Sequence, residues 1–132
     1  MQIQRLKAKI HQARLTACDL YYEGSLAIDE DILDRAGILP FEKILVVNAT
    51  NGQRLETYAI PAPRGSRTFL LNGAAARCGF PGDVITIMAF AAMTPRESAA
   101  FTHTTVILDA KNHILREKAQ GGPAKKVPAK RK

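Results

Sequence analysis

A serine hydroxyl directly follows a glycine at Gly24-Ser25, within the segment Tyr21-Tyr22-Glu23-Gly24-Ser25. A hydroxyl in this position can attack the preceding carbonyl carbon and convert the peptide bond to an ester, an N→O acyl shift. The attack needs an unusual backbone, which glycine tolerates because it lacks a Cβ, and it needs donors for the developing oxyanion. Most Gly-Ser pairs are only flexible turns. The pair therefore indicates chemistry only if the rest of the chain supports it.

The cysteines and histidines form no recognisable site in the sequence. Cys18 and Cys78 stand alone, and His11, His103 and His113 are scattered, so no zinc-binding spacing occurs. The sequence also lacks a glycine-rich phosphate loop and a Rossmann fingerprint, and no Ser/His/Asp set can be assigned. Metal-dependent, nucleotide-dependent and triad-hydrolase activities are therefore disfavoured.

Short strands separated by turn residues dominate the predicted secondary structure. Apolar residues alternate with cations between residues 6 and 11, which predicts a strand with one charged face. Acidic residues followed by Gly37 predict a helix over 29–37, and Thr94-Pro95-Arg96-Glu97 predicts another over 94–100. Asn51-Gly52 predicts a type I′ hairpin. The other strands are expected at 19–25, 43–48, 53–60, 68–71, 84–92, 104–109 and 113–116, with a brief helix after Asn72. This pattern is typical of a compact β-barrel with small helices.

Four segments together resemble one enzyme family. In chain order they are Tyr21-Tyr22-Glu23-Gly24-Ser25, Asn51-Gly52-Gln53-Arg54-Leu55-Glu56-Thr57-Tyr58-Ala59-Ile60, Arg64-Gly65-Ser66 and Asn72-Gly73-Ala74-Ala75-Ala76. They resemble the pyruvoyl-dependent aspartate 1-decarboxylases, and the resemblance covers residues 5–109. It implies a mainly β fold, a double-psi β-barrel with short helices, assembled as a homotetramer. Residues 84–92 are apolar on both faces, which also predicts burial against other subunits.

The resemblance implies a proenzyme that cuts its own backbone, with or without a maturation factor. The ester formed by Ser25 undergoes β-elimination and hydrolysis, which releases ammonia and leaves a covalent pyruvoyl group at residue 25. Residues 1–24 become the β chain and residues 25–132 the α chain, and neither pyridoxal phosphate nor a metal is expected. Thr57 matches a threonine that assists this cleavage in the family.

The same resemblance implies the reaction. Removal of CO₂ from an amino acid leaves a carbanion that needs an electron sink. A Schiff base between the pyruvoyl ketone and L-aspartate supplies that sink, and the product is β-alanine, a precursor of pantothenate.

Substrate contacts are carried over from the family by position. Arg54 is expected to hold a substrate carboxylate, which its planar guanidinium suits. Tyr58 is expected to donate the proton, because a phenol normally stays protonated at neutral pH. The other expected substrate-binding residues are Lys9, His11, Tyr22, Thr57, Asn72, Gly73, Ala74 and Ala75.

Two features of this expected site need explanation. Strand alternation places Thr57 and Tyr58 on opposite faces, so both can line one site only if the strand is bulged or the site lies between subunits. Val47 stands where the family often has an aromatic residue, which predicts a looser pocket wall.

Most of the excess positive charge lies at the end of the chain. The net charge is +7 at pH 7, with 19 Lys and Arg against 12 Asp and Glu. The last residues contain a cluster of cations and no acid, namely Lys125, Lys126, Lys130, Arg131 and Lys132. We expect one barrel domain over residues 1–118 and a disordered basic tail over 119–132.

Composition places the protein in a broad class. Hydrophobic residues make up 46% of the chain, enough for a core, yet no apolar run reaches the roughly 18–20 residues of a helical membrane span. The start of the chain has no secretory apolar block, and two cysteines suit a reducing compartment. A soluble, cytoplasmic protein is therefore expected.

Two other functions fit parts of the sequence. The first is a small basic β-barrel that binds nucleic acid with help from the tail. Aromatic residues make up only 6% and tryptophan is absent, which disfavours a base-stacking surface. The second is a pyruvoyl decarboxylase of another acidic amino acid such as glutamate, since one methylene changes specificity by only about 1–3 kcal/mol.

Overall fold

A computed structural model describes residues 1–123, and strands are its main elements. The mainly β class is confirmed. Two α-helices and one 3₁₀ helix connect the strands: α1 Glu30–Ala36, α2 Pro95–Ala100 and the 3₁₀ helix Gly73–Cys78. The strands are β1 Ile3–Arg14, β2 Ala17–Asp19, β3 Ser25–Asp29, β4 Lys43–Asn48, β5 Arg54–Ala62, β6 Phe69–Asn72, β7 Val84–Met93, β8 Thr102–Leu108 and β9 Ile114–Gly121. None of the helices in this part of the chain is long and apolar enough to cross a membrane.

The strands pair in the order β2-β6-β3-β5-β4-β7-β1-β8-β9. Parallel pairing joins β1 to β8, β2 to β6 and β3 to β5, and the other neighbours are antiparallel. Parallel partners are distant in the sequence, so each parallel pair is joined by a crossover connection, whereas β4–β5 and β8–β9 are joined as hairpins. β3 thereby lies between β5 and β6, and this position brings Ser25 next to the strand that carries Tyr58 and the strand that ends at Asn72.

The core lies on the inner face of the sheet. Alternate residues of β7, namely Ile85, Ile87 and Ala89, are buried, and they pack in one apolar cluster with residues such as Leu26 and Phe69. The opposite face of β7 is only partly covered within the chain, and Phe90 remains 39% exposed. Period-two alternation therefore explains the burial of one face.

Both predicted helices are confirmed, with the expected caps. The Asp29 carboxylate accepts a hydrogen bond from the Asp31 N–H at 2.9 Å, and Gly37 ends α1 in the left-handed conformation with φ of 78°. In α2, Thr94 and Glu97 form a reciprocal capping box. Local capping chemistry is sufficient to set the ends of these helices.

The strand that we predicted at 19–25 is wrong in its bounds. β2 ends at Asp19, whose carboxylate accepts the Tyr21 N–H at 3.1 Å and turns the chain. The side chain of Tyr21 is then 95% exposed and that of Tyr22 57% exposed. The turn leads into β3, which begins at Ser25, so the expected cleavage bond lies at the junction of a turn and a buried strand.

The β4–β5 hairpin forms, but not through a type I′ turn. Such a turn needs positive φ at both central residues, and only Gly52 has it, with φ of 80°. The buried Asn48 side chain instead accepts the N–H groups of Thr50 and Asn51, at 2.9 and 3.2 Å. This buried amide organises a longer loop.

The domain boundary that we predicted after residue 118 also needs correction. Ala119, Gln120 and Gly121 pair with β8, and Thr105 Oγ1 donates to Gln120 Oε1 at 3.2 Å. Backbone pairing along an exposed edge stabilises this segment, although its side chains bury little. The rest of the predicted tail, from residue 124 onward, lies outside the described residues.

Candidate active site

Ser25 and Asn72 face each other across the antiparallel pair β3–β6. Both residues are 1% exposed, and Asn72 Nδ2 donates to Ser25 Oγ at 3.1 Å. Asn72 occupies the N-cap position of the 3₁₀ helix, yet its side chain makes no capping hydrogen bond. Its Oδ1 is buried and has no partner among the described residues. The NH₂ group of Asn72 thus bonds Ser25, and its Oδ1 still has the capacity to accept a hydrogen bond.

Gly73 lies against the backbone at Gly24. Its φ is +72°, and a Cβ added there would sit 2.7 Å from Gly24 Cα and 2.9 Å from the Tyr22 carbonyl oxygen. Both distances are well inside van der Waals contact, and the atoms are backbone atoms that cannot swing away. Only glycine combines this left-handed conformation with this close approach.

Tyr58 lies beside Ser25, and Thr57 lies on the other face of β5. The parallel pair Leu26–Ala59 places the residues before them, Ser25 and Tyr58, side by side. Neither pairing of β5 contains a register shift, so the bulge that could have put Thr57 and Tyr58 on one face is absent from β5. Thr57 is opposite Ile44, a core residue.

We name these residues, Gly24, Ser25, Tyr58, Asn72 and Gly73, the cleavage cluster. The Tyr58 ring stacks on Phe41, with ring centroids 6.2 Å apart. Two further expected residues follow Gly73 in the 3₁₀ helix, where Ala74 is exposed and Ala75 is half-buried. The cluster is therefore mostly uncharged and held by backbone packing.

Lys9, His11 and Arg54 lie on a different part of the outer surface, Lys9 and His11 on β1 and Arg54 on β5 with β4 and β7 between them, and we name this stretch the cationic face. Val47 pairs with Arg54 on one side and with Thr86 on the other. Thr86 Oγ1 is 3.3 Å from His11 Nδ1, which extends the row to β1. Lys9 belongs to the next row, opposite Met88. Val47 thus lies between Arg54 and Thr86, on the side of Arg54 that faces the histidine.

The electrostatics of the cationic face favour binding of an anion. The pKa of His11 is lowered from its ordinary value of 6.5, first by burial and then by the charges of Lys9 and Lys118. His11 is therefore neutral at neutral pH. Lys9 and Arg54 form no ion pair with a carboxylate of residues 1–123.

The cleavage cluster and the cationic face are separated within one chain. Arg54 and Tyr58 are both on β5, and four strand residues span about 13 Å. The structure thus brings Ser25, Tyr58, Asn72 and Gly73 together but does not bring Lys9, His11 or Arg54 to them. The Tyr22 backbone contacts the Gly73 region, while its side chain is directed to solvent.

Three residues near these sites were missed by sequence reasoning. Lys118 lies in the same row as Lys9, because Thr105 pairs with both residues. Thr86 is hydrogen-bonded to His11. Phe41 supports the Tyr58 ring. Their positions depend on strand registers between distant segments, so no local pattern could have identified them. Within the described residues, no group of three His, Cys, Asp or Glu side chains could share a metal ion.

Comparisons with known proteins agree on one family. The sequence model of a family described as aspartate decarboxylase matches residues 1–115. The chain is 49% identical over 116 residues to an aspartate 1-decarboxylase of Salinibacter ruber, covering 88% of this chain and 80% of that protein. It is 50% identical over 116 residues to the enzyme of the same name from Hyphomonas neptunium, covering 88% and 98%. The corresponding protein of Coprothermobacter proteolyticus is 51% identical over 114 residues, covering 86% and 93%.

Proposed function

Because this chain belongs to the aspartate decarboxylase family, we propose that it cuts itself at Gly24-Ser25 and then converts L-aspartate to β-alanine and CO₂. The observation that carries the proposal is the buried hydrogen bond between Ser25 Oγ and Asn72 Nδ2, directly beside the bond to be cut. Burial of an otherwise ordinary serine with a dedicated amide partner is difficult to explain as a flexible turn.

The first step is the attack of Ser25 Oγ on the Gly24 carbonyl carbon. The new C–O bond forms as the C–N bond breaks, the hydroxyl proton passes to the departing nitrogen, and the result is an ester between Gly24 and Ser25. The assisting role of Thr57 rests on the resemblance alone, because its side chain lies on the face of β5 opposite to Tyr58. The hydroxyl of Ser25 is buried, whereas Gly24 on the other side of the bond is exposed.

Asn72 is the single side chain of the described residues that hydrogen-bonds Ser25 Oγ. An amide can orient a hydroxyl and donate to a developing charge, but it cannot remove a proton as a base. Self-cleavage by this arrangement is therefore expected to be slow, and a maturation factor that repositions Gly24 would accelerate it.

The residues present fit a pyruvoyl group at position 25. Such a group supplies a ketone that can hold the substrate amine and accept the electrons released with CO₂. Asn72 Nδ2 would donate to a carbonyl oxygen there as it now donates to Ser25 Oγ. Gly73, without a Cβ, leaves the space next to residue 24 open after the chain is cut.

Substrate binding is the role that we assign to the cationic face. Arg54 holds one carboxylate of aspartate through paired N–H donors, and Lys9 attracts the dianion. His11 stays neutral and orients substrate through hydrogen bonds rather than through charge. From the cleavage cluster, Tyr58 Oη donates the proton that replaces the lost carboxylate.

The separation of about 13 Å supports a site built between subunits. We propose a homotetramer of double-psi β-barrels, in which the cleavage cluster of one subunit meets the cationic face of its neighbour. The outer surface of β7 is consistent with such contacts because Met88 and Phe90 are apolar and incompletely covered. The α and β chains would stay associated through the β1–β7 and β1–β8 pairings.

A cytoplasmic location follows as part of the proposal. Cys18 and Cys78 are both free thiols in the described structure, which suits a reducing compartment. Nucleic-acid binding has less support, since much of the positive charge belongs to residues after 123. A glutamate decarboxylase remains the second candidate, because Val47 leaves more space beside Arg54 than an aromatic residue would.

A substrate assay tests the proposal. The full protein, allowed to mature, is incubated with L-aspartate or L-glutamate without pyridoxal phosphate, and β-alanine and 4-aminobutyrate are quantified. We expect β-alanine from aspartate and at least about tenfold less product from glutamate. A preference for glutamate would favour the second candidate, and no amine product from either would contradict the proposed function.

A further inference from the structure

A pocket lined by cationic side chains lies away from the cleavage cluster and the cationic face. It has a volume of about 350 Å³ and is formed where the end of β1 meets the β5–β6 loop and the β8–β9 turn. Arg14, Arg67 and Lys111 line it, with Asn112 at its base. None of these residues belongs to the machinery assigned above.

The pocket is positively charged without compensation. None of its lining residues is acidic, and among residues 1–123 none of the three cations has a carboxylate within ion-pair distance. Arg64, in the same loop as Arg67, shows the contrast because it pairs with Glu30, Asp31 and Asp34. Three unpaired cations around one concavity form a strong anion-attracting field.

The nearby carboxylates are directed elsewhere. Asp29 accepts the backbone N–H of Arg67 at 2.7 Å and that of Gly65 at 3.1 Å, so it bonds the loop and not the guanidinium. Asp109 accepts the backbone N–H groups of Lys111 and His113. These acids shape the pocket without neutralising its side chains.

One buried amide positions both arginines. Asn112 Oδ1 accepts the Arg14 N–H at 2.8 Å, and its Nδ2 donates to the carbonyls of Arg14 at 2.9 Å and Arg67 at 3.1 Å. Arg67 and Asn112 are both held at positive φ, 55° and 63°. Non-glycine residues rarely adopt this conformation, and where they do it often serves a site.

Arg14 carries a further sign of a missing partner. Its Nε is buried and has no hydrogen-bond acceptor in the described residues. A buried guanidinium N–H without an acceptor is costly, so residues 1–123 themselves leave this donor of Arg14 unsatisfied. Guanidinium groups match phosphate oxygens with paired N–H donors, and lysine adds a point charge.

We propose that this pocket binds the phosphate group of a small phosphorylated metabolite, seated between Arg14 and Arg67 with Lys111 at the entrance. The volume is near the lower limit of small-molecule sites, which suits a compact ligand. The proposal does not depend on the decarboxylase function, because no lining residue is shared with that site.

Titration with inorganic phosphate tests the proposal. The full protein is titrated at constant ionic strength by calorimetry and by amide NMR, with succinate as a dicarboxylate comparison. We expect saturable phosphate binding, weaker succinate binding, and chemical-shift changes centred on residues 66–67 and 110–112.

Variants localise the binding and control for charge. Arg67→Gln and Lys111→Gln alter exposed side chains and should fold, and each is expected to weaken phosphate binding, Arg67→Gln by about tenfold. Arg96→Gln removes the same charge from α2 and should leave binding unchanged. Self-cleavage should be normal in all three variants.

Four results would overturn the proposal: no saturable binding, equal weakening by Arg96→Gln, tighter binding of succinate than of phosphate, or loss of phosphate binding in Arg54→Gln instead of Arg67→Gln. None of these results bears on β-alanine production, so the two proposals can fail separately.

Discussion

The cleavage cluster and the cationic face differ in how much of their geometry one chain supplies. Ser25 and Asn72 are almost fully buried, hydrogen-bonded to each other, and adjacent to a glycine that fits tightly against Gly24. Arg54 is exposed, and neither it nor Lys9 forms an ion pair within residues 1–123. In the proposed bond-breaking half the nucleophile is already buried and hydrogen-bonded, whereas in the proposed binding half the two cations have no carboxylate partner among residues 1–123.

The difference follows from what each half must do. Breaking a peptide bond requires a nucleophile that is oriented in advance, because reorganisation would add to the barrier. Holding a dianionic substrate requires charges that remain available, because a cation already paired with a carboxylate would lose much of its attraction for substrate. Variants in the first half should therefore stop maturation, and variants in the second half should leave it intact.

The largest effect is expected from Ser25→Ala. Alanine has no attacking oxygen, so the chain should remain whole, and intact-mass spectrometry should show only the full-length species. Ser66→Ala is the matched control because Gly65-Ser66 repeats the dipeptide in an exposed loop. Fragments ending at Gly24 in the Ser25→Ala protein would remove Ser25 from the mechanism.

Gly73→Ala, compared with Gly52→Ala, separates the cost of a left-handed backbone from the cost of a steric clash. Gly52 has a similar φ of +80° but open space around it, whereas Gly73 contacts Gly24. We expect Gly52→Ala to lower the free energy of unfolding by about 1 kcal/mol, and Gly73→Ala by about 2–4 kcal/mol because overpacking is added.

The cleavage rate separates these two variants further. A displacement of Gly24 by a fraction of an ångström should slow self-cleavage by about 10²-fold in Gly73→Ala, while Gly52→Ala should cleave normally. Urea unfolding at fixed protein concentration and timed mass spectra provide the two readouts. Equal cleavage rates in the two variants would show that the close approach has no role.

Arg54→Gln tests the cationic face. Cleavage should proceed as in the unmodified protein, while kcat/KM for aspartate falls roughly 10- to 100-fold through loss of charged hydrogen bonds worth about 1.5–3 kcal/mol. Arg96→Gln, which removes a charge far from both regions, should change kcat/KM by less than about twofold. If Arg54→Gln blocked cleavage instead, the division into two halves would be wrong.

The smallest effect concerns the protonation of His11. Its pKa should lie below 6.5, because burial and the charges of Lys9 and Lys118 oppose protonation. Lys118→Gln should raise that pKa slightly, and Lys111→Gln, on the β8–β9 turn, should not. A proton NMR titration of the assigned imidazole gives both values, and an unchanged pKa in Lys118→Gln would place Lys118 too far away to act.

The sign of the linked stability change follows from the same shift. Between the lowered pKa of folded His11 and the ordinary value of 6.5, the unfolded chain binds more protons than the folded chain. This contribution to stability is therefore complete above pH 6.5 and is lost as pH falls through the folded pKa.

Local chemistry made part of the fold predictable. The acidic start and Gly37 stop of α1, the capping box of α2 and the bounds of β4 all come from residues a few positions apart. The length of β9 was underestimated, because its side chains bury little and leave no apolar pattern in the sequence. The turn after Asp19 was missed because two tyrosines, residues typical of strands, favoured a strand there, and both are exposed.

The geometry of the candidate site could not be predicted from the sequence. Family motifs pointed to Ser25, Tyr58 and Asn72, but the hydrogen bond between Ser25 and Asn72 spans 47 positions. Strand register between such distant segments is set by the packing of the whole sheet. For the same reason, alternation correctly separated Thr57 from Tyr58 but could not show that Arg54 lies far from Ser25.

The central claim is that residue 25 becomes a ketone after the chain is cut, and accurate mass of the larger fragment tests it most directly. We predict that the fragment spanning residues 25–132 is lighter by one ammonia than the same fragment beginning with serine. A fragment with the full mass of an N-terminal serine, from protein that makes β-alanine, would contradict the account.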